Sequence, residues 1–396
     1  MTRDDIARQL VIMVSDDSDP RRVFDRILKM LSHLSPELVV EWSLPNEKGK
    51  DDLVRLYQLV MPPAQEFIDK LNEPGVVVER NMEMSQAAVP NDALYTEQWA
   101  LGRMSAEAAW DCVMNGGPAS PVTVGVIDSG IARAHPDLKA RVDPMSTGFV
   151  GALNAEDEDG HGTFLAGTIG AITNNNAIGV ASVTWPINVS LLAVKFYNLL
   201  NPLNVAYAAL AIAYAVAKGA KVINLSWHLG MDNAFLRWYL GSFSVQQVLF
   251  VAAAGNEGTN NDDLPIWPAS YVLPNLMSVM ATTQIPVMAI DNDDDKPGFS
   301  NYGPNTVHIA APGVRVLSTH YGFDPLLPAR WRNYTGTSVS AAHVSGAAAL
   351  IRALRPAWNP LQVRNRLVAT VDKSRYVRCI AQGRLNLEKA VCQLPP

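Results

Sequence analysis

Apolar positions follow two different patterns along this chain, and the pattern changes near residue 88. Before that point, short runs alternate apolar with polar residues, which predicts half-buried strands, and two stretches with a 3.6-residue period predict helices. The strands are predicted at residues 10–14, 38–42, 53–60 and 75–79, and the helices at 21–34 and 63–71. This βαββαβ order predicts a small α+β, ferredoxin-like domain over residues 1–88.

From residue 89 onward the apolar runs are continuous, as in strands that are buried on both faces. They predict strands at residues 122–127, 190–194, 222–225, 248–252 and 277–282, alternating with helices at 162–172, 205–218 and 232–243. Such alternation is typical of a parallel sheet with helices on both faces. The fold class predicted for residues 89–396 is therefore α/β, with a doubly wound, mostly parallel sheet.

Three polar residues stand at the ends of these predicted elements. Asp128 ends an apolar strand, His161 lies between two glycines before a small apolar helix, and Ser338 opens an alanine-rich helix at 339–354. Taken singly, each fits a simpler role: a turn carboxylate, a core histidine and a helix N-cap. In this order and setting they supply the orienter, the base and the nucleophile of a serine hydrolase.

A fourth polar residue, Asn256, follows the apolar run 248–254 on a glycine turn. This position places its amide beside the other strand ends. Acyl transfer builds negative charge on the former carbonyl oxygen, which the Asn256 N–H and the Ser338 backbone N–H would stabilise. A plain turn is the simpler alternative.

The segments around these four residues resemble those of the subtilisin-like serine proteases, and the likeness extends from about residue 90 to the C-terminus. The resemblance implies that Asp128 orients, that His161 is the general base and then acid, that Ser338 is the nucleophile and that Asn256 is the oxyanion donor. It implies a serine endopeptidase that hydrolyses protein peptide bonds through an acyl-enzyme.

The same resemblance implies a substrate cleft between two segments. One wall carries the candidates Ser226, Trp227 and His228, and the opposite wall carries Ala253, Ala254 and Gly255. Close packing of small residues is the alternative for the second set.

A structural calcium site is also implied by the resemblance. Its ligands would be the carboxylates of Asp92 and Asp137, the Asn176 side chain, and the carbonyls of Ile178 and Val180. Oxygen-rich sets of this kind suit Ca²⁺. The acidic run at residues 291–295 lacks the glycine and glutamate of a calcium motif and is interpreted as a solvated loop.

The position of the N-terminal domain resembles that of the inhibitory propeptide in the same proteases. It implies a propeptide that helps the protease domain to fold and then occupies the cleft with its C-terminal tail. We hypothesise that the protein is a zymogen, which cleaves itself within residues 83–89. Two alternatives stay open. One is a dedicated processing protease with a permanently attached regulatory domain, and the other is a catalytically silent peptide-binding protein.

Composition narrows the possible partners. The 396 residues are 48% hydrophobic and 18% charged, with a formal net charge of −6. Without a basic block, binding of nucleic acid is not expected. The longest apolar helix, at 205–217, is too short to span a bilayer. We expect a monomer that acts on proteins or peptides.

The sequence gives opposing indications of where the protein acts. The N-terminus has no continuous apolar segment of a secretory signal, whereas the resemblance implies export.

The three cysteines are an odd number, and a Cys379–Cys392 pair across a short loop would leave Cys112 buried near the first helix of the domain.

Overall fold

The computed structural model describes residues 9–14, 20–45, 51–59, 61–80, 89–151, 153–198, 200–242, 247–283, 296–321, 331–392 and 394. The chain divides into two units, Met1–Gln86 and Ala87–Pro396. The acidic run at 291–295 and the predicted domain boundary at residue 88 lie outside the described residues.

Strand residues of the N-terminal unit alternate between buried and more exposed positions. Strand β1 (Gln9–Val14) buries Leu10, Ile12 and Val14 on one face. The remaining elements are α1 (Pro20–Leu31), β2 (Glu37–Pro45), β3 (Asp51–Gln58), α2 (Gln65–Asp69) and β4 (Val76–Arg80). They form an antiparallel sheet in the order β2-β3-β1-β4, and their sequence along the chain is the predicted βαββαβ.

The second unit is built from continuous apolar strands and the helices between them. Its first elements are α3 (Trp99–Arg103), α4 (Ala106–Asn115), β5 (Val122–Asp128), β6 (Thr147–Gly148), α5 (His161–Gly170), β7 (Val189–Lys195), α6 (Val205–Ala217), β8 (Val222–Leu225) and α7 (Ala234–Gly241). The later elements are β9 (Leu249–Ala253), β10 (Leu276–Thr282), β11 (Ile309–Pro312), β12 (Val316–Thr319), β13 (Trp331–Tyr334), α8 (Thr337–Leu354), α9 (Pro360–Ala369), β14 (Asp372–Lys373), β15 (Gly383–Arg384) and α10 (Leu387–Val391).

One sheet organises this unit. Within the described residues it has nine strands in the order β14-β15-β11-β10-β9-β8-β5-β7-β6, and all neighbouring pairs except β14–β15 are parallel. The predicted mostly parallel α/β fold is therefore confirmed. The carboxyl ends of its central strands meet at one edge, where functional groups usually lie in such sheets.

Helix α8 begins at that edge and runs through the core. Its small residues permit close packing: a Cβ added at Gly346 would lie 2.7 Å from Val183 Cβ. Among the helices that the structure describes, none combines the length and the apolar character needed to cross a bilayer.

The considered Cys379–Cys392 pair is wrong. Cys392 follows α10, which packs against α4, and forms a disulfide with Cys112 at a Cα–Cα distance of 5.5 Å. Cys379 is a buried free thiol. Sequence spacing favoured the short loop, but β15 and α10 lie between the two cysteines and direct Cys392 towards α4.

Candidate active site

Asp128 is the last residue of β5 and is fully buried. Its Oδ1 accepts hydrogen bonds from Ser129 N at 2.8 Å and from His161 Nδ1 at 2.8 Å. A buried carboxylate needs such donors because it has lost its water. The carboxylate is therefore held in place beside an imidazole.

His161 is the first residue of α5, and the preceding loop fixes where this helix begins. The buried Asp157 carboxylate accepts from Gly160 N at 2.9 Å, and from Thr163 N and Thr163 Oγ1 at 2.9 and 2.5 Å. Gly160 has φ +102°, and a Cβ there would lie 2.5 Å from the ring of His320. Both features position the imidazole.

The His161 ring is suited to take up a proton. Burial lowers its pKa, but the Asp128 carboxylate, with smaller contributions from Asp159 and Asp157, raises it more, so the pKa lies above its ordinary value of 6.5. The side chain remains 21% exposed, which leaves the ring accessible from the cleft.

Ser338 lies in the first turn of α8 and is joined to the segment that follows β8. Its Oγ donates to Ser226 O at 3.4 Å, while Ser226 Oγ donates to Ser338 O at 3.0 Å. Asn224 Nδ2 donates in turn to Ser226 Oγ at 2.8 Å. The hydroxyl is thus held at the same sheet edge as Asp128.

Asn256 is oriented by the residue before the serine. Its Oδ1 accepts from Thr337 N at 2.9 Å and from Thr337 Oγ1 at 3.1 Å, which turns the Nδ2 donor to the other side. A Cβ built on Gly336 would lie 3.7 Å from Asn256 Nδ2 and 3.9 Å from Ser338 N. The Asn256 amide and the Ser338 backbone N–H thus both lie close to Gly336, and the same Cβ would also lie 3.7 Å from Asn256 Oδ1.

The two predicted cleft segments lie on either side of these groups. Ala253 ends β9, and the buried Ala254 leads into Gly255, whose N donates to Thr337 Oγ1 at 3.1 Å. On the other side, Ser226 contacts Ser338 as described. The Trp227 indole is buried and donates to Ile127 O at 3.1 Å, so its side chain belongs to the core.

His228 is the member of its segment with an exposed side chain, and its Nε2 lies 3.5 Å from Glu257 Oε1. Glu257 directly follows Asn256, and its other oxygen accepts from Asn301 Nδ2 at 2.8 Å. This pair joins the two segments that flank Ser338. The carboxylate directly after Asn256 is visible in the sequence, but its pairing with His228 is not.

The predicted calcium ligands are brought into one region. Asp137 is fully buried; its Oδ1 accepts from Asn175 Nδ2 at 2.9 Å, and its Oδ2 from Val180 N at 3.1 Å and Trp331 Nε1 at 2.7 Å. Asp92 Oδ2 accepts from Asn174 N at 3.0 Å.

The remaining predicted ligands belong to the loop between α5 and β7. Asn176 and Ile178 are exposed there, while Val180 is buried. The residues that the structure describes contain no cluster of three or more His, Cys, Asp or Glu side chains suited to a metal.

The oxygen atoms around Asp92 nevertheless fit a hard cation. Asp92 Oδ1 and Asn175 Oδ1 are buried and have no hydrogen-bond partner among the described residues. Burial raises the pKa of Asp92, and the negative charge of Asp137 adds to the increase, although hydrogen bonds from backbone N–H groups oppose it. A Ca²⁺ ion bound at Asp92 would satisfy its free oxygen and offset the charge.

A carboxylate bonded to an imidazole, with a serine hydroxyl and an asparagine amide at the same carboxyl edge of a parallel sheet, is the set of groups that a serine hydrolase uses. Comparisons with known proteins identify the family. The profile of the Subtilase family matches residues 119–386. The alkaline protease of Alkalihalobacillus alcalophilus is 36% identical over 293 residues, which is 74% of this chain and 69% of that protein.

Two further comparisons indicate the same family. Subtilisin Savinase of Lederbergia lenta is 35% identical over 293 residues, or 74% of this chain and 97% of that protein. A solved protease structure from Pseudoalteromonas arctica PAMC 21717 has a TM-score of 0.64 and 25% identity, covering 77% of this chain and 99% of that chain. The chain belongs to the subtilase family and is a subtilisin-like serine endopeptidase.

Proposed function

We propose that Ser338, His161, Asp128 and Asn256 carry out peptide-bond hydrolysis through an acyl-enzyme. The observation that carries this proposal is the 2.8 Å bond from His161 Nδ1 to Asp128 Oδ1, made at the sheet edge where α8 presents Ser338. It fixes the tautomer that leaves Nε2 free to accept a proton.

In the first half-reaction, Ser338 Oγ attacks the carbonyl carbon of the substrate while His161 Nε2 takes the hydroxyl proton. Asn256 Nδ2 and Ser338 N donate to the oxyanion, and Asp128 stabilises the imidazolium. The tetrahedral intermediate collapses as His161 gives its proton to the leaving amine. In the second half-reaction, water attacks the acyl carbon and its proton passes to His161 Nε2. The bond from the acyl carbon to Ser338 Oγ then breaks, and His161 returns the proton to Oγ as the acid product leaves.

The nucleophile is tested by Ser338→Ala, with Ser345→Ala as the matched control. Ser345 lies on the same helix, and its Oγ donates to Asn224 Oδ1 at 3.0 Å, so that it is connected to Ser338 only through Asn224 and Ser226. We expect casein hydrolysis to fall by about 10⁴–10⁶ in Ser338→Ala and to persist in Ser345→Ala. Wild-type hydrolysis by Ser338→Ala would show that the nucleophile is another residue.

We further propose that the protein is made as a zymogen and that the N-terminal unit is its propeptide and inhibitor. Its βαββαβ order and its place before the protease unit support this proposal. The expected cleavage region, residues 83–89, lies outside the described residues except for Val89. N-terminal sequencing should give a start in that region for wild type and residue 1 for Ser338→Ala. A full-length, active wild-type protein would favour a permanently attached domain.

Substrate and metal are the last parts of the proposal. Protein or peptide chains would bind between the segments 226–228 and 253–255, and the enzyme would act as a monomer.

A Ca²⁺ ion would be held by Asp92, Asp137 and the loop that bears Asn176, Ile178 and Val180, and it would join these three parts of the chain. A chelator should then lower the melting temperature of Ser338→Ala, and added Ca²⁺ should restore it. An unchanged melting temperature would remove calcium from the proposal.

A further inference from the structure

The oxygen that binds His161 also receives a phenol hydroxyl. Tyr197 OH donates to Asp128 Oδ1 at 3.0 Å, in addition to the bonds from Ser129 N and His161 Nδ1. Asp128 Oδ2 is buried and has no hydrogen-bond partner among the described residues. The donors are therefore concentrated on the oxygen that binds the imidazole.

The sheet register places Tyr197 there. Strands β5 and β7 are parallel neighbours with Asp128 opposite Lys195, and Phe196 N continues the pairing by donating to Asp128 O at 3.1 Å. The Tyr197 ring packs edge-on against Phe196, with centroids 5.3 Å apart. Backbone pairing and ring packing together hold the hydroxyl against the carboxylate.

The hydroxyl remains a donor throughout the working range of a protease. Burial raises the pKa of Tyr197 above its ordinary value, and the Asp128 charge adds to the increase. A neutral donor on a carboxylate oxygen stabilises the anion and reduces the negative charge available to a second donor. Tyr197 thus competes with His161 for the same oxygen.

We propose that Tyr197 is a positioning residue of the catalytic relay, which fixes the Asp128 carboxylate and weakens its hold on the imidazolium, so that His161 returns its proton more readily. The inference rests on the proposed function of Asp128, His161 and Ser338. It adds a residue whose hydroxyl binds the Asp128 carboxylate and which is not assigned a contact with substrate.

Other charged and titratable groups face the same imidazole. Asp157 and Asp159 lie on the loop before α5 and raise the pKa of His161. From β13, the Tyr334 ring lies 6.5 Å from the His161 ring, and Arg332 lies near Tyr334 and His320. Because all these groups stay in place in a Tyr197 variant, a difference from wild type reports on Tyr197.

The test is the pH profile of kcat/KM for Tyr197→Phe on a chromogenic peptide. Without the competing donor, Asp128 stabilises the imidazolium more strongly, so the acidic limb should move to higher pH by about half to one unit. We expect KM to stay unchanged and kcat to fall by about tenfold or less. The matched control is Tyr214→Phe, which loses a 2.7 Å bond to Met145 O away from the site and should keep the wild-type profile.

A second measurement does not depend on the stability of Tyr197→Phe. 3-Fluorotyrosine at position 197 keeps the ring and is a stronger donor, so it should move the acidic limb to lower pH. The proposal would be overturned if the acidic limb of the kcat/KM pH profile coincided with that of wild type in both variants. Fluorophosphonate labelling of Ser338 separates this result from failure of the proposed function: labelled enzyme with an unchanged limb rejects Tyr197 alone, whereas absent labelling rejects the relay.

Discussion

Asp128 and Asp137 are both fully buried carboxylates in one unit, but their partners differ in kind. Asp128 accepts from His161, a group that can take up and release a proton near neutral pH. Asp137 accepts from an amide, a backbone N–H and the Trp331 indole, none of which titrates there. We therefore expect Asp128 to act in catalysis and Asp137 in structure, because their donors differ.

The largest effect should come from exchanging the two carboxylates for amides. Asp128→Asn loses the charge that orients and stabilises the His161 imidazolium, so we expect kcat to fall by about 10⁴. Asp137→Asn should leave kcat within about threefold, because its partners take no part in proton transfer, and lower the free energy of unfolding instead. Kinetic and denaturation measurements on both variants check this. Equal losses of kcat would contradict the distinction.

The next effect concerns the N–H donor of the site. Asn256→Ala removes the side-chain amide and should lower kcat by about 10²–10³ with little change in KM. This is the magnitude known for subtilisin itself. Asn261→Ala is a useful control, because its Nδ2 donates to Ala254 O at 2.8 Å within the same loop. A similar loss of kcat in the control would mean that loop distortion, not the missing donor, is responsible.

Two other histidines, the buried His343 and the partly buried His308, offer a contrast to His161. Burial lowers the pKa of His343 to about 4, and burial with the Arg364 charge lowers that of His308 to about 4. The unfolded chain binds more protons, so their contribution is present above pH 6.5 and is lost as pH falls towards 4. Each should cost about 2 kcal/mol of stability at pH 5. Unfolding of Ser338→Ala at pH 7 and pH 5 measures the loss, and His343→Gln should reduce it. Equal stability at both pH values would contradict this.

The smallest effect should follow from Trp331→Phe. This change removes the N–H donor to Asp137 and should lower the free energy of unfolding by about 1–2 kcal/mol without altering the pH profile of kcat/KM. Trp238→Phe, at a side chain that is 66% exposed, is the matched control and should have little effect. A shifted pH profile in Trp331→Phe would mean that the Asp137 region is coupled to the relay.

Five adjacent strands of the central sheet, β5 and β7 to β10, were predictable from the sequence, because short continuous apolar runs between turn residues are typical of strands buried on both faces. Strands β6, β11, β14 and β15 were not predicted from such runs, because they have only two to four residues each. Asp128 and His161 were also placed at element ends, and the structure joins them. Contacts between distant residues were not predictable: the Trp331 indole donates a hydrogen bond to Asp137 across 194 positions, and Cys112 forms a disulfide with Cys392 across 280. Such contacts depend on how finished elements pack. Trp227 was expected in the cleft, although its large apolar ring also suits the core in which the structure places it.

The central claim is that Asp128 and His161 activate Ser338. The most direct measurement is peptide mapping by mass spectrometry after reaction with a fluorophosphonate, on wild type and Asp128→Asn. We predict a single adduct on Ser338 that forms far more slowly in Asp128→Asn. An adduct on another residue, or equal labelling rates in the two proteins, would contradict the claim.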